Sequence, residues 1–194
     1  MTARPLLPPT PVLETERLIL RPIRAEDAPA IQRRFPQWDV VKHLTGKIPW
    51  PYPADGAAVN MVATLKQMQR RKKLTWAITL KSQGDELIGR IDLLPDSGIG
   101  RGQRGFWLDP AYWGRGLMTE AADRVTEYAF MELGWPHLWL RNGVENLASH
   151  RVKEKQGARI VGRVRSHLVS GKTTMSVVWL LTREDWLKHR EERS

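Results

Sequence analysis

The chain contains no cysteine, which excludes disulfides, a thiolate metal site and a cysteine nucleophile. No apolar run approaches the roughly 20 residues that a membrane-spanning helix needs. The histidines at 43, 137, 150, 167 and 189 are scattered and show no metal-ligand spacing, so no metal is expected. Residues 1–11 lack the apolar stretch of a signal peptide and read as a flexible proline-rich arm, leaving 12–194 as one domain. These absences make a cytoplasmic protein with no membrane association the default expectation. Acidic residues are also short, 21 against 31 basic ones, for a net charge of +10. A surface that basic attracts polyanions, so a ribosomal or nucleic-acid partner would use it. A solubility balance would explain the charge equally well. No stretch matches a helix-turn-helix, RNA-recognition or zinc pattern, which counts against a pure nucleic-acid binder.

What the chain does have is a strand that runs into a glycine turn and then a long helix. Phe106, Trp107 and Leu108 read as strand, Asp109-Pro110 stops it, and Trp113-Gly114-Arg115-Gly116 forms the turn. Leu117, Ala121, Ala122, Val125, Tyr128, Ala129 and Leu133 then recur at helical spacing until Gly134-Trp135-Pro136. Glycines at a helix start let a ligand approach the backbone, and the unpaired amides of the first turn favour a phosphate. The dinucleotide fingerprint lacks its third glycine here, and the P-loop pattern is absent. The loop alone is equally compatible with a plain turn.

Along the rest of the chain, residues 13–23 alternate as one strand with Leu18 and Leu20 on a common face. A helix follows through about residue 35, and residues 37–53 are irregular. Residues 55–69 read as a helix with Val59, Val62, Leu65 and Met68 inward. Residues 74–80 and 86–94 pair around a turn, 95–102 form a loop, and a strand over 103–109 leads to the glycines. A strand over 137–142 precedes a helix with Asn146 as N-cap and Gly157 as its terminating glycine. A hairpin closes around Ser170-Gly171, and residues 182–186 start a final helix.

The string from Gly105 to Ala121 resembles the acyl-CoA-binding segment of the GNAT N-acetyltransferases, most closely those of RimJ/RimL type. Gly116 matches the motif's central glycine, Trp113 stands at its Gln/Arg position, and Met118 replaces its last Gly/Ala. The opening Thr15-Glu16-Arg17-Leu18 strand, the Asn146-x-x-Ser149 pair and the strand order extend the resemblance over most of the chain. It implies an α/β (α+β) GNAT fold, with a mixed, mainly antiparallel twisted sheet of about seven strands flanked by helices.

The resemblance further implies acetyl-CoA as co-substrate. Trp107, Leu108, Trp113, Gly114, Arg115, Gly116, Leu117, Met118 and Thr119 would hold it from one side and Asn146, Ser149 and Lys153 from the other. A backbone N–H near Leu108 would supply the oxyanion donor, and the cofactor would enter where two strands splay. Residues 37–53 would form the acceptor wall, with Trp38 and Trp50 as its candidate lining. Many GNAT proteins carry a tyrosine acid where this chain has Lys153, which leaves Ser149 to meet the departing thiolate. Lys153 and Lys155 read as solvated residues, or as contacts to the cofactor phosphates. Some N-terminal acetyltransferases have a glutamate base where this chain has Arg141, so Asp92 and Glu145 are the substitutes. The acceptor is expected to be a protein N-terminal α-amine, with a small amine (amino acid, aminoglycoside, polyamine or aminoacyl nucleotide) as the alternative. A non-catalytic acyl-CoA-binding module is a further alternative, and a monomer or homodimer is expected.

Overall fold

The computed structural model describes residues 6–44, 46–95 and 104–192. Among the described residues eight strands, all paired antiparallel, form the expected mainly antiparallel, helix-flanked fold, divided into two sheets where one of about seven strands was expected. The first sheet has the order β1 (Leu13–Glu14), β2 (Leu18–Pro22), β3 (Leu74–Leu80), β4 (Gly89–Leu93), β5 (Arg104–Leu108). The second is β6 (His137–Gly143), β8 (Thr173–Thr182), β7 (Arg159–His167). Among the described residues no ladder joins β5 to β6, so the two sheets part between them.

The strand expected over 13–23 is broken into β1 and β2. Thr15 folds back, with its N–H bonded to the Leu18 carbonyl at 3.1 Å, and the two halves pair with each other. Pro22, which cannot donate to a ladder, sits at the end of β2 as its chemistry requires.

β3 is buried along its whole length and explains the two-sided core. Leu74, Trp76, Ile78 and Leu80 face a large cluster that includes Leu117, Ala121, Val125 and Tyr128 of the helix after the glycines. Ala77 faces a smaller cluster made with Ile31, Phe35, Ala57 and Met61. The period-two alternation of a strand thus divides one sequence between two cores. Each fully buried aliphatic side chain contributes about 1.5–3 kcal/mol.

The smaller core holds α1 (Ala28–Arg34), α2 (Trp38–Val41) and α3 (Gly56–Gln69) against the first sheet. Here the expected face of α3 is half right, since Leu65 and Met68 do pack against the smaller core. Val59 and Val62 point to solvent, and Ala57, Met61 and Thr64 face inward. Thr64 is buried beside Arg90 of β4, which bonds it at 3.2 Å and the exposed Asn60 at 3.0 Å. A buried guanidinium needs acceptors more than two valines need burial.

The larger core holds α4 (Leu117–Glu127), which continues through a π-helical turn to Glu132. α5 (Leu147–Glu154) and α6 (Arg183–Glu191) complete the chain, and Trp186 of α6 bonds Asp123 of α4 at 2.9 Å. The described part of the arm expected to be flexible is tied down. Leu7 is buried in the large core, and the Trp76 indole donates to the Pro11 carbonyl at 2.7 Å. Residues 1–5, and nearly all of the loop expected over 95–102, lie outside the described residues. Among the described residues no helix is long and apolar enough to cross a membrane.

Candidate functional site

The opening between the sheets is bounded by β5. The Asp109 N–H bonds the Ile88 carbonyl at 2.9 Å, and Leu108 pairs with Gly89. Hydrogen-bonding direction alternates along an antiparallel strand, so the N–H groups of Phe106 and Leu108 face away from β4, toward β6. The Leu108 carbonyl on that side accepts the Trp113 indole N–H at 2.8 Å. Trp113 therefore folds its turn back onto the strand end.

Asp109 makes the corner rigid. Its carboxylate takes the Ala111 amide at 3.1 Å, Gln37 at 3.2 Å and the Arg34 guanidinium at 2.6 Å. Burial pushes its pKa up, but these bonds outweigh burial and hold it below the usual value. Past the corner, Gly114 and Gly116 adopt φ of +73° and +76°, which L side chains rarely do. Among the described residues none comes within 4 Å of where a Gly114 side chain would start, and at Gly116 only Arg17 does, at 3.6 Å. Open space in front of both glycines leaves room for a ligand against the first-turn amides of α4.

Leu117 and Met118 turn their side chains into the large core, so only their backbone faces this space. The size of Met118 therefore does not narrow it. Arg17 braces the loop from outside, bonding the Arg115 carbonyl at 3.0 Å and ion-pairing with Glu120 at 2.6 Å. Arg115 itself is exposed, with its guanidinium 5.7 Å from the centre of the Tyr112 ring.

On the other side of the opening, Asn146 caps α5 by accepting the Ser149 N–H at 3.1 Å, which leaves its amide NH2 as the group it can offer outward. Ser149 is buried, and so is Lys153, only 2% exposed. The Lys153 amine donates to the Ser149 hydroxyl at 2.6 Å and lies 5.4 Å from the centre of the Phe106 ring of β5. This corrects the reading of Lys153 as solvated or as a phosphate contact. Burial, with Arg104 nearby, lowers its pKa well below the ordinary lysine value. The structure thus joins residues of β5 and α5 that stand far apart in sequence.

Other expected residues lie elsewhere. Asp92 forms ion pairs with Lys73 at 3.0 Å and Arg90 at 2.9 Å. Burial raises its pKa, but the two cations more than compensate and leave it lowered. A carboxylate so held is a poor proton acceptor, and its assignment as base is corrected to a structural ion. The Trp107 ring packs against Phe35 at 5.2 Å, on the opposite face of β5 from Phe106 and Lys153. Trp38 and Trp50 are partly exposed and touch each other, with ring centres 5.3 Å apart. Arg141 bonds Ser166 across the second sheet.

Sequence reasoning missed Arg17, Arg34, Gln37 and His43. The first three act through partners about 70 to 100 positions away, and no local pattern marks such pairings. His43 is held below the usual imidazole pKa by burial, and secondarily by Lys42, against upward pulls from Glu145 and Asp39.

Comparison with known proteins agrees with this geometry. The family model for the acetyltransferase (GNAT) domain matches residues 17–159. The chain is similar to the uncharacterized N-acetyltransferase YoaA of Bacillus subtilis, 28% identical over 165 residues, 84% of this chain and 91% of the relative. Its fold is similar to that of the ribosomal-protein-S5-alanine acetyltransferase from Vibrio fischeri, with a TM-score of 0.75 at 16% identity over 90% of this chain and 98% of that one. The Mycobacterium smegmatis RimJ structure in complex with CoA-disulfide superposes with a TM-score of 0.74 at 20% identity, over 87% and 83% of the two chains.

Proposed function

Because the chain belongs to the GNAT acetyltransferase family, we propose that it transfers the acetyl group of acetyl-CoA to a protein N-terminal α-amine by direct attack on the thioester. The observation that carries the acceptor class is the state of the carboxylates around β4 and β5. Asp92 and Asp109 are both ion-paired, with pKa values below the ordinary range. With both of these carboxylates engaged by cations, the site suits an amine that loses its own proton near neutrality. An α-amine, with a pKa of about 8, does so, whereas a lysine amine at about 10.4 does not.

The residues present fit acetyl-CoA. The amides following Gly114 and Gly116, at the positive end of α4, would hold the pyrophosphate. The N–H groups of Phe106 and Leu108 would pair with the pantetheine arm, with Asn146 facing them, and the Leu108 N–H would donate to the developing oxyanion. Acetyl-CoA supplies the activated acyl carbon and a thiolate leaving group. Ser149 would protonate that sulfur, and His43, neutral at pH 7, would take the proton released by the amine. Trp38 and Trp50 would offer aromatic surface to the acceptor chain. The basic surface would favour acceptors attached to a polyanion, such as ribosomal proteins on their RNA. The Vibrio fischeri protein named above bears a ribosomal-protein acetyltransferase name, which agrees with this acceptor class.

The test is CoA release from acetyl-CoA with peptides bearing free Ser, Ala or Met N-termini, beside a panel of small amines. Turnover on peptides that ends when the α-amine is blocked is the expected result. Turnover confined to small amines would overturn the acceptor assignment.

A further inference from the structure

α5 carries a buried cation with no acid beside it. Lys153 is 2% exposed, and among the described residues no carboxylate forms an ion pair with it. Two of its N–H groups go to one residue, the Ser149 hydroxyl at 2.6 Å and the Ser149 carbonyl at 3.2 Å. Among the described residues the Phe106 ring lies 5.4 Å from it, and Arg104 of β5 acts on it as a like charge. Arg104 is itself buried, bonded to the Ala122 carbonyl and the Thr126 hydroxyl of α4, and among the described residues Asp123 acts on it as a counter-charge. Gln156, beyond the helix, is neutral and donates to Thr126 at 3.2 Å.

Burying a lysine without a carboxylate is unfavourable, and an apolar side chain of the same length would fill the space without that cost. The arrangement nevertheless serves a proton relay. Because Lys153 donates to the Ser149 oxygen, the Ser149 proton is turned away from it and is free for another acceptor. The neighbouring Phe106 belongs to the strand edge that faces the opening between the sheets.

We infer that Lys153 acts through Ser149 as the proton store of the transfer, a role that rests on the acetyl-CoA reading above. Once a neutral amine has formed its bond to the acetyl carbon, the carbon–sulfur bond breaks and its electron pair leaves on sulfur. Ser149 gives its hydroxyl proton to that sulfur and takes one from Lys153, which is left neutral. The proton released by the new amide nitrogen passes to His43 and from there to solvent, and Lys153 regains one from solvent after the products leave. Its lowered pKa, caused by burial and then by Arg104, makes it a better donor than an ordinary lysine. Lys153 is thus a positioning and proton-supplying residue, and Ser149 is the one that meets the reacting atoms.

The test uses protein labelled with 13C at the lysine ε-carbons, together with Lys153→Met and Ser149→Ala. One lysine signal, absent from Lys153→Met, should titrate below the others. Its midpoint should rise by about half a unit or more with CoA relative to desulfo-CoA, because only CoA brings a thiolate to the relay. Calorimetry should show acetyl-CoA affinity kept in Lys153→Met. Its turnover on the wild-type acceptor should drop roughly 10- to 100-fold at unchanged acceptor KM, and the fall in kcat at alkaline pH should disappear. Equal midpoints with CoA and desulfo-CoA, or an unchanged kcat profile in Lys153→Met, would overturn the relay while leaving the acetyl-CoA assignment intact. Failure of the wild-type protein to bind acetyl-CoA would overturn both.

Discussion

Arg17 and Glu120 form a clamp between the turn of the first hairpin and the first turn of α4. The Arg17 Nη2 lies 2.6 Å from Glu120 Oε2, the Arg17 backbone N–H donates to the same carboxylate at 2.9 Å, and Thr15 adds a bond of 2.5 Å. The guanidinium also holds the Arg115 carbonyl in the glycine turn. The clamp thus fixes the loop that would carry the cofactor phosphates.

Arg17→Ala should weaken acetyl-CoA binding by roughly three- to tenfold, the worth of about one hydrogen bond. The change in stability should stay below ~1 kcal/mol, because the arginine side chain is 44% exposed. Calorimetric titration and thermal unfolding separate the two effects. The clamp also has a pH signature. Burial raises the Glu120 pKa, but the Thr15 and Arg17 bonds prevail and leave it lowered. Its stabilisation is therefore present above the ordinary carboxylate pKa of 4.5 and is lost as the pH falls through the depressed value. Arg17→Ala should flatten the acid limb of the stability curve.

Gly116→Ala should cost about 1–2 kcal/mol through its φ of +76° alone, since the added methyl meets only a flexible arginine at 3.6 Å. Gly116→Trp places an indole across the first-turn amides and should reduce acetyl-CoA affinity at least about tenfold. Unchanged affinity in a folded Gly116→Trp protein would remove the basis for the phosphate cradle.

Asp92→Asn discriminates structure from chemistry. Removing the charge leaves Lys73 and Arg90 facing each other and should lower stability by about 2–3 kcal/mol, somewhat less than for a fully buried pair. Turnover per folded molecule should stay at the wild-type level. A loss of turnover without a loss of melting temperature would restore Asp92 as the base.

Lys153→Met should raise the melting temperature, by about 2–4 °C for each kcal/mol recovered. The folded pKa of Lys153 lies below the ordinary 10.5, so between those two values the unfolded chain binds more protons than the folded one. Stability of the wild-type protein therefore rises with pH across that window. The advantage of the methionine variant should be largest at low pH and should vanish as the pH approaches 10.5. A gain independent of pH would mean that packing, not charge, makes the difference.

The sequence by itself determined the parts of this protein that depend on local chemistry. Helical spacing marked the buried face of α4, and Asn146 and Gly157 marked the cap and the terminating glycine of α5. The glycine turn could be identified because a left-handed backbone favours one residue type. The same local rules failed where a distant partner decides the outcome. Val59 and Val62 face solvent because Arg90, thirty positions away, needs Asn60 and Thr64. The strand over 13–23 breaks because its second half pairs with β3 and its first half folds back along it.

Charge was the least legible property. Asp92 had the residue type of a base and Lys153 that of a solvated surface group, yet folding reversed both. A pKa is set by the neighbours and the water that surround a group, and those are assembled only when strands and helices meet. The order of elements and the place of the phosphate turn were written in the chain. Which ionisable groups are buried, and beside which charges, was decided only by the packing of strands and helices that lie far apart in the chain.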